Sequence, residues 1–287
     1  MTAALEVVCA GPLTTVQDRG RFGHRAAGVS PSGAADLGAM ARANHLAGNA
    51  AGAAVLEVTV GGLVLVASGR LTVAVAGAAC GGVTMDAAIR LEAGQRLQLG
   101  AATAGLRAYV AVAGGVAVPA VLGSRSTDTL SGLGPPHLQD GDSIPVGAAC
   151  IGGAAVSAPP PVPPRDSEAP LLVLPGPRDG WLDGHGWDQL RAATWTASPD
   201  SNRTAVRLQG DPLPVRSGSL PPEPLVRGAV QLPPGGLPIV FLADHPVTGG
   251  YPVVGVLDAA SCDRLAQLRP GQAVRLSVRG GWAPPSR

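Results

Sequence analysis

Charged residues make up only 14% of this 287-residue chain, so the places where they gather beside hydroxyls and amides stand out as candidates for chemistry. Gln17-Asp18-Arg19-Gly20-Arg21 lies a short loop away from Gly28-Val29-Ser30-Pro31-Ser32-Gly33-Ala34-Ala35-Asp36. Guanidinium forks on Gly-bounded loops can clamp a carboxylate or phosphate through paired N–H donors. Arg125-Ser126-Thr127-Asp128 sets another Arg beside two hydroxyls, and Ser198-Pro199-Asp200-Ser201-Asn202-Arg203-Thr204 carries an Asn–Arg pair. The fourth cluster, Ala243-Asp244-His245-Pro246-Val247-Thr248-Gly249-Gly250-Tyr251-Pro252, offers an acid or base, several hydrogen-bonding groups, and a Gly pair whose amides can approach an oxyanion closely. Each cluster also has a plainer reading. Asp–Arg pairs hold loops in shape, and Ser, Pro, Asp and Asn favour turns. The fourth is the strongest, because a plain hairpin does not need so many functional groups.

The rest of the composition narrows the chemistry. All 21 cationic residues other than His are Arg. Without Lys there is no Schiff base, no Ser-x-x-Lys nucleophile and no Walker A phosphate loop in this chain. His24, His45, His137 and His185 have no metal-ligand spacing, and no metal site is expected. Cys9, Cys80, Cys150 and Cys262 stand apart from one another and read as inert thiols. A net charge of +1, with no basic block, argues against nucleic acid and membrane surfaces as partners. The first residues carry Glu6 and lack the basic start of a secretory signal, and no apolar run reaches membrane-span length, so the cytoplasm is expected.

These clusters must be positioned by short strands. The 41 Gly and 28 Pro punctuate runs of Val, Leu and Ile. Strands are expected at Leu5–Cys9, Val55–Val60, Leu63–Val66, Leu71–Ala76, Ile89–Leu91, Arg96–Leu99 and Leu106–Ala113. A helix is expected over Ala34–Ala47, with Ser32 as its cap and Gly48-Asn49 as its stop. Further strands are expected at Leu171–Leu174, Val206–Leu208, Val230–Leu232, Ile239–Leu242, Val253–Leu257 and Ala273–Val278, with short helices near Trp187–Ala193 and Ser261–Leu268. The Pro-rich stretch at 155–170 reads as a linker between a domain at 1–154 and another at 171–287. The pattern is mainly β, with little room for crossover helices, and points to a compact barrel or sandwich.

Taken in order, the motifs resemble the biotin-dependent carboxyltransferase/KipA (PxpC) family, which includes C subunits of ATP-dependent 5-oxoprolinases and allophanate hydrolase subunit 2. The resemblance rests on GPLTTVQDRGRFGHRAAGVSPSGAADLGAMARANHLAGN, LEVTVGGL, LRAYVAVAGG, VLGSRSTDTLSGLG, LPGPRDGW, SPDSNR, RGAVQLPPGGLPIVFLADHPVTGGYPVVGVL and LAQLRPGQAVRL. It implies two cyclophilin-like β-barrel domains. It further implies a KipI-like (PxpB-type) partner, a LamB/YcsF-like (PxpA-type) partner, and ATP used together with the KipI-like partner to open 5-oxoproline to glutamate. The alternatives it carries are a carboxyltransferase component of a urea carboxylase or allophanate hydrolase system, and a regulatory KipI-binding protein. Biotin, if used, arrives on another protein, since this chain has no Lys to carry it. Matching positions imply catalytic roles for Asp244, Tyr251 and Asp36. They imply substrate or anion binding by Gln17, Asp18, Arg19, Ser32, Arg125, Asn202, Arg203, Gln231, Thr248, Gly249 and Gly250. The chain departs from the family pattern at Pro221-Pro222-Glu223-Pro224 and at Pro246-Val247-Thr248.

Overall fold

The computed structural model describes residues 4–148 and 169–279. The chain divides into two compact units, Met1–His24 with Pro31–Asp166, and Arg25–Ser30 with Ser167–Arg287. Residues 155–168 of the expected linker, and Cys150, lie outside the described residues.

In the first unit, alternation along the strands decides which face each residue serves. Strands β1 (Ala4–Cys9), β4 (Val64–Ala67), β7 (Arg96–Gln98) and β9 (Ser143–Pro145) form a sheet in the order β7-β4-β1-β9. A five-stranded sheet runs β2-β3-β8-β5-β6, with β2 at Leu13–Gln17, β3 at Val55–Thr59, β5 at Leu71–Cys80, β6 at Ala88–Leu91 and β8 at Ala102–Val112. Leu56 and Val58 of β3, Val73 and Val75 of β5, and Val110 and Val112 of β8 join one core with Leu5, Val7, Leu65, Leu97 and Ile144 of the smaller sheet. Their neighbours Val55, Ala74, Ala76, Tyr109 and Ala111 face the other way, onto Ala39, Met40 and Ala43 of helix α1 (Leu37–Leu46). A sheet buried on both faces reads as a continuous apolar run. The alanines let the helix come close.

Each of the seven strands expected in this half is present. Strand β2 was not expected, because Thr14, Thr15 and Gln17 read as loop, yet all three are buried within it. Thr14 satisfies its hydroxyl by donating to the Ala10 carbonyl at 2.6 Å, which makes burial tolerable. The helix starts later than expected. Its N-cap is Asp36, whose carboxylate accepts from the Ala39 amide at 2.8 Å, rather than Ser32. Residues Gly33 to Ala35 are instead held against neighbouring segments, with the Ala34 amide donating to the Asp18 carbonyl at 2.9 Å. Gly20 and Gly33 make that approach possible. Both have positive φ, and a Cβ on Gly20 would sit 2.5 Å from the Pro31 carbonyl oxygen.

The second unit closes on itself. Strands β10 (Leu171–Pro175), β17 (Val253–Leu257), β14 (Ala229–Gln231), β15 (Ile239–Phe241), β12 (Ala205–Gln209), β11 (Thr194–Ala197) and β18 (Ala273–Val278) form a closed barrel in that order. It is sealed by the parallel pairing of β10 with β18, Leu171 opposite Leu276. Helices α2 (Gly184–Ala192) and α3 (Ala259–Leu265) begin at Asp183 and Asp258, which cap Gly186 and Ser261. A two-stranded ribbon pairs β13 (Glu223–Pro224) with β16 (Thr248–Gly249).

The mainly β expectation therefore holds, with three α-helices among the described residues and one closed barrel. Among the described residues, the strands of the first unit lie in two open sheets that share a core, and no ladder joins their edges. Among the described residues no helix is long and apolar enough to cross a membrane.

Candidate functional site

In the first unit, the folding of β2 into its following loop brings the first two of the sequence clusters together around Asp18. One carboxylate oxygen accepts from the Ser124 hydroxyl at 2.6 Å, the Ser126 hydroxyl at 2.5 Å and the Gly20 amide at 2.8 Å. The other accepts from the Arg125 amide at 2.6 Å. Burial pushes the Asp18 pKa up, but these four hydrogen bonds outweigh burial and hold it below the ordinary carboxylate value. A group with a lowered folded pKa contributes stability above its unfolded value, here near 3.8, and loses it as pH falls through the folded one. Asp18→Asn is expected to cost about 1–3 kcal/mol at neutral pH and to flatten the acid limb of the stability curve below that value. Urea titrations at several pH values check both effects.

Gln17 and Ser32 converge on the same turn. The Gln17 amide donates to the Thr127 carbonyl at 2.9 Å, and the Ser32 hydroxyl donates to the same carbonyl at 3.1 Å. Ser32 has φ +54, so this contact is made from a left-handed backbone. Asp36 caps α1, and its backbone amide donates to the Tyr109 hydroxyl at 2.8 Å. Arg19 and Arg125 are exposed. Arg125 donates through Nε to the Val118 carbonyl at 2.7 Å, and the Arg19 stem lies along Gly52.

Beneath these loops lies a buried network that the sequence clusters did not include. Tyr109 donates its hydroxyl to Glu57 at 2.9 Å, and the Ala35 amide donates to the same carboxylate oxygen at 2.9 Å. Arg107 stands 3.5 Å from the other Glu57 oxygen, with both side chains buried. Burial, then the charges of Glu57 and Asp36, push the Tyr109 pKa well above its ordinary value. A signal was present in the sequence. A lone Glu in V-L-E-V-T, and an Arg and Tyr in L-R-A-Y-V, sit in strands otherwise apolar and must find one another when those strands pair.

In the second unit the expected residues fall into two groups, at opposite ends of the β14–β15 pairing. At one end Arg203 precedes β12 and Asp244 follows β15, and the Arg203 guanidinium holds both Asp244 oxygens at 2.9 and 3.0 Å. Both side chains are almost completely buried, at 2% and 0% exposed. Asn202 uses its carbonyl to accept from the amides of Thr204 and Ala205, which fixes the turn before β12. His245 follows Asp244, with Nδ1 2.8 Å from the Pro246 carbonyl, so this nitrogen carries the proton. At the other end, Gln231 donates to the Tyr251 carbonyl at 2.9 Å, while Tyr251 itself is exposed. The three residues of β14 put these ends about 7 Å apart along the strand. Thr248 and Gly249 lie in the ribbon opposite Glu223 and Pro224, and Gly250 follows. Glu223 is bound by Arg178 through Nε at 2.9 Å, and that hydrogen bond holds the Glu223 carboxyl below its ordinary range.

Among the described residues no group of three or more His, Cys, Asp or Glu side chains is placed to hold a metal ion. Cys262 is buried beneath Gly228, and burial pushes its thiol up to about 11, which makes it a poor nucleophile.

Comparisons with known proteins bear on the family of the chain. Residues 27–278 match the family described as carboxyltransferase domain, subdomain A and B. The chain is 38% identical to the 5-oxoprolinase C subunit of Escherichia coli, over 94% of this chain and 89% of that protein. The solved structure of the K. lactis urea amidolyase superposes with a TM-score of 0.87 at 26% identity, covering 96% of this chain and 18% of that one. The solved structure of TTHA0988 does so with a TM-score of 0.80 at 32% identity, and this chain spans 56% of its length. A match across both units, together with a relative of nearly equal length, settles the family: the chain belongs to the carboxyltransferase domain, subdomain A and B, family.

Proposed function

We propose that this chain is the C subunit of an ATP-dependent 5-oxoprolinase, working with a KipI-like and a LamB/YcsF-like subunit to convert 5-oxoproline, ATP and water to glutamate. The observation that carries this reading is the 38% identity to the C subunit of Escherichia coli 5-oxoprolinase across almost the full length of both proteins. Urea amidolyase of Lachancea kluyveri is more distant, at 29% identity, and this chain spans only 17% of it. On this reading the units are two cyclophilin-like domains, and the chain turns over substrate only within the complex.

Exposure and bonding divide the candidate residues by task. Arg19 and Arg125, with Thr248, Gly249, Gly250 and Tyr251, are accessible enough to meet substrate or phosphate. Gln17, Asp18, Ser32, Asp36, Asn202, Arg203, Gln231 and Asp244 hold the loops through the contacts described above. Arg19 is the sharpest case: its guanidinium makes no hydrogen bond or ion pair among the described residues. Arg19→Ala is expected to lower turnover of the complex at least about tenfold while leaving the melting temperature unchanged.

The test is reconstitution. The chain is assayed alone and with its two partner subunits for 5-oxoproline-dependent ATP hydrolysis and glutamate release. Glutamate formed only in the full mixture supports the proposal, and a stable complex without turnover overturns it. Carboxyl transfer is the second reading, favoured by the family description and by the likeness to the K. lactis urea amidolyase. It predicts urea-dependent consumption of ATP and bicarbonate in the presence of a biotin carrier and the biotin carboxylase that charges it.

A further inference from the structure

The turn Thr248-Gly249-Gly250-Tyr251 is held at its start, its middle and its end, and the two ends lead to one ion pair. At the start, Thr248 and Gly249 pair with Pro224 and Glu223 in a ribbon of two residue pairs, too short to hold its place unaided. Gly249 seats that ribbon closely. A Cβ there would lie 2.6 Å from Gln231 Nε2 and 2.9 Å from Cδ1 of Leu225, which is buried. In the middle, Gln231 donates to the Tyr251 carbonyl. At the end the chain enters β17, where the Val253 carbonyl accepts from the Arg178 amide at 3.0 Å and the Val254 carbonyl from the Gly176 amide at 2.8 Å. Arg178 is therefore rooted at the end of the turn and Glu223 at its start. Their side chains meet: Arg178 Nε lies 2.9 and 3.1 Å from the two Glu223 oxygens, and Nη2 donates to one of them. Pro222 and Pro224 restrict the backbone on either side of Glu223, so the carboxylate stands on a stiff post.

We propose that Arg178 and Glu223 are positioning residues for this turn. Their ion pair sets the distance between its two ends, and with it the placement of the Gly249 and Gly250 amides and the Tyr251 side chain. The pair contributes little to overall stability, since its side chains are 38% and 18% exposed and solvent screens such pairs. What it constrains is local. Without it the ribbon is left with two residue pairs, one of which contains Pro224, which has no amide to donate. Gly250 has open space where a Cβ would stand, and Tyr251 is exposed, so packing at these residues does little to hold the turn once the ribbon slackens. The link to catalysis rests on the proposed function, under which this turn meets substrate or phosphate.

The chain contains two Tyr, so labelling the full chain with fluorotyrosine gives two fluorine resonances, and Tyr251→Phe identifies that of the turn. Glu223→Gln and Arg178→Gln are each expected to move the Tyr251 resonance toward its position in the urea-unfolded chain. The melting of the second unit, followed by the fluorescence of buried Trp187 and Trp195, is expected to stay where it is. In the reconstituted complex each variant is expected to lower kcat/KM about tenfold, and the double variant to lower it no further, since each residue acts through the other. A Tyr251 resonance unmoved in both variants overturns the proposal, as do additive losses in the double variant, or an unchanged kcat/KM where the resonance does move. A lowered melting temperature in the variants overturns it too, because the pair would then hold the whole unit rather than the turn. The resonance reads the pair's hold on the turn without any turnover. A parent complex with no 5-oxoproline activity therefore sinks the proposed function, while the fluorine spectrum still decides whether the pair holds the turn.

Discussion

Asp244→Ala is expected to destabilise the second unit by about 3–5 kcal/mol, read as a large drop in its urea midpoint. The Arg203–Asp244 pair has the geometry that makes one-sided truncation costly. Two near-parallel hydrogen bonds of 2.9 and 3.0 Å join side chains that solvent scarcely reaches. Removing the carboxylate leaves the guanidinium buried without its counter-charge, a larger penalty than the net worth of the intact pair. The pair also staples the ends of β12 and β15, where the Asp244 amide donates to the Arg203 carbonyl at 3.1 Å and the Leu242 amide to the Thr204 carbonyl at 2.9 Å. Arg203→Met should cost a similar amount. The double variant Arg203→Met/Asp244→Leu should recover much of the loss, because neither charge is then stranded. Additive losses would mean that the pair does not act as a unit. An Asp244→Ala chain that melts like the parent would return Asp244 to the groups available for proton exchange.

How legible these features were in the sequence depended on whether a residue's task was local or paired. Six runs from Val55 to Ala113 were readable as strands because Gly and Ala-Gly turns cut them at regular intervals. The long continuous apolar stretches hid something else, that the central sheet is covered on both faces. The alternation of Val73 and Val75 with Ala74 and Ala76 records it as a size difference, not a polarity difference. Strand β2 was missed because buried Thr and Gln look like loop until their partners are known. The polar clusters were found, but their internal pairing was not. Asp244 and Arg203 are 41 residues apart and meet only because β12 and β15 are neighbours in the barrel. Closure of the barrel itself depends on β10 meeting β18, a parallel contact over about a hundred residues that no local pattern encodes.

Glu57→Ala is expected to have the matching effect in the first unit, a loss of about 3–5 kcal/mol. Glu57 sits in β3 beneath the start of α1, and three groups depend on it: the Ala35 amide, the Tyr109 hydroxyl and the Arg107 guanidinium. Its removal strands a buried cation and unties the segment that carries Ser32 and Asp36, so ligand binding should weaken together with stability. Tyr109→Phe separates the two consequences. It keeps the Glu57–Arg107 charge pair and removes only the hydroxyl, for an expected cost of about 1–3 kcal/mol. Because the Tyr109 pKa is raised on folding, its contribution is complete below the unfolded value near 10 and is lost as pH rises through the folded one. The parent chain should therefore lose stability on the alkaline side more steeply than Tyr109→Phe. Parallel alkaline limbs for the two proteins would show that the hydroxyl titrates no differently in the folded and unfolded chains, and the network would then owe its stability to Glu57 and Arg107 alone.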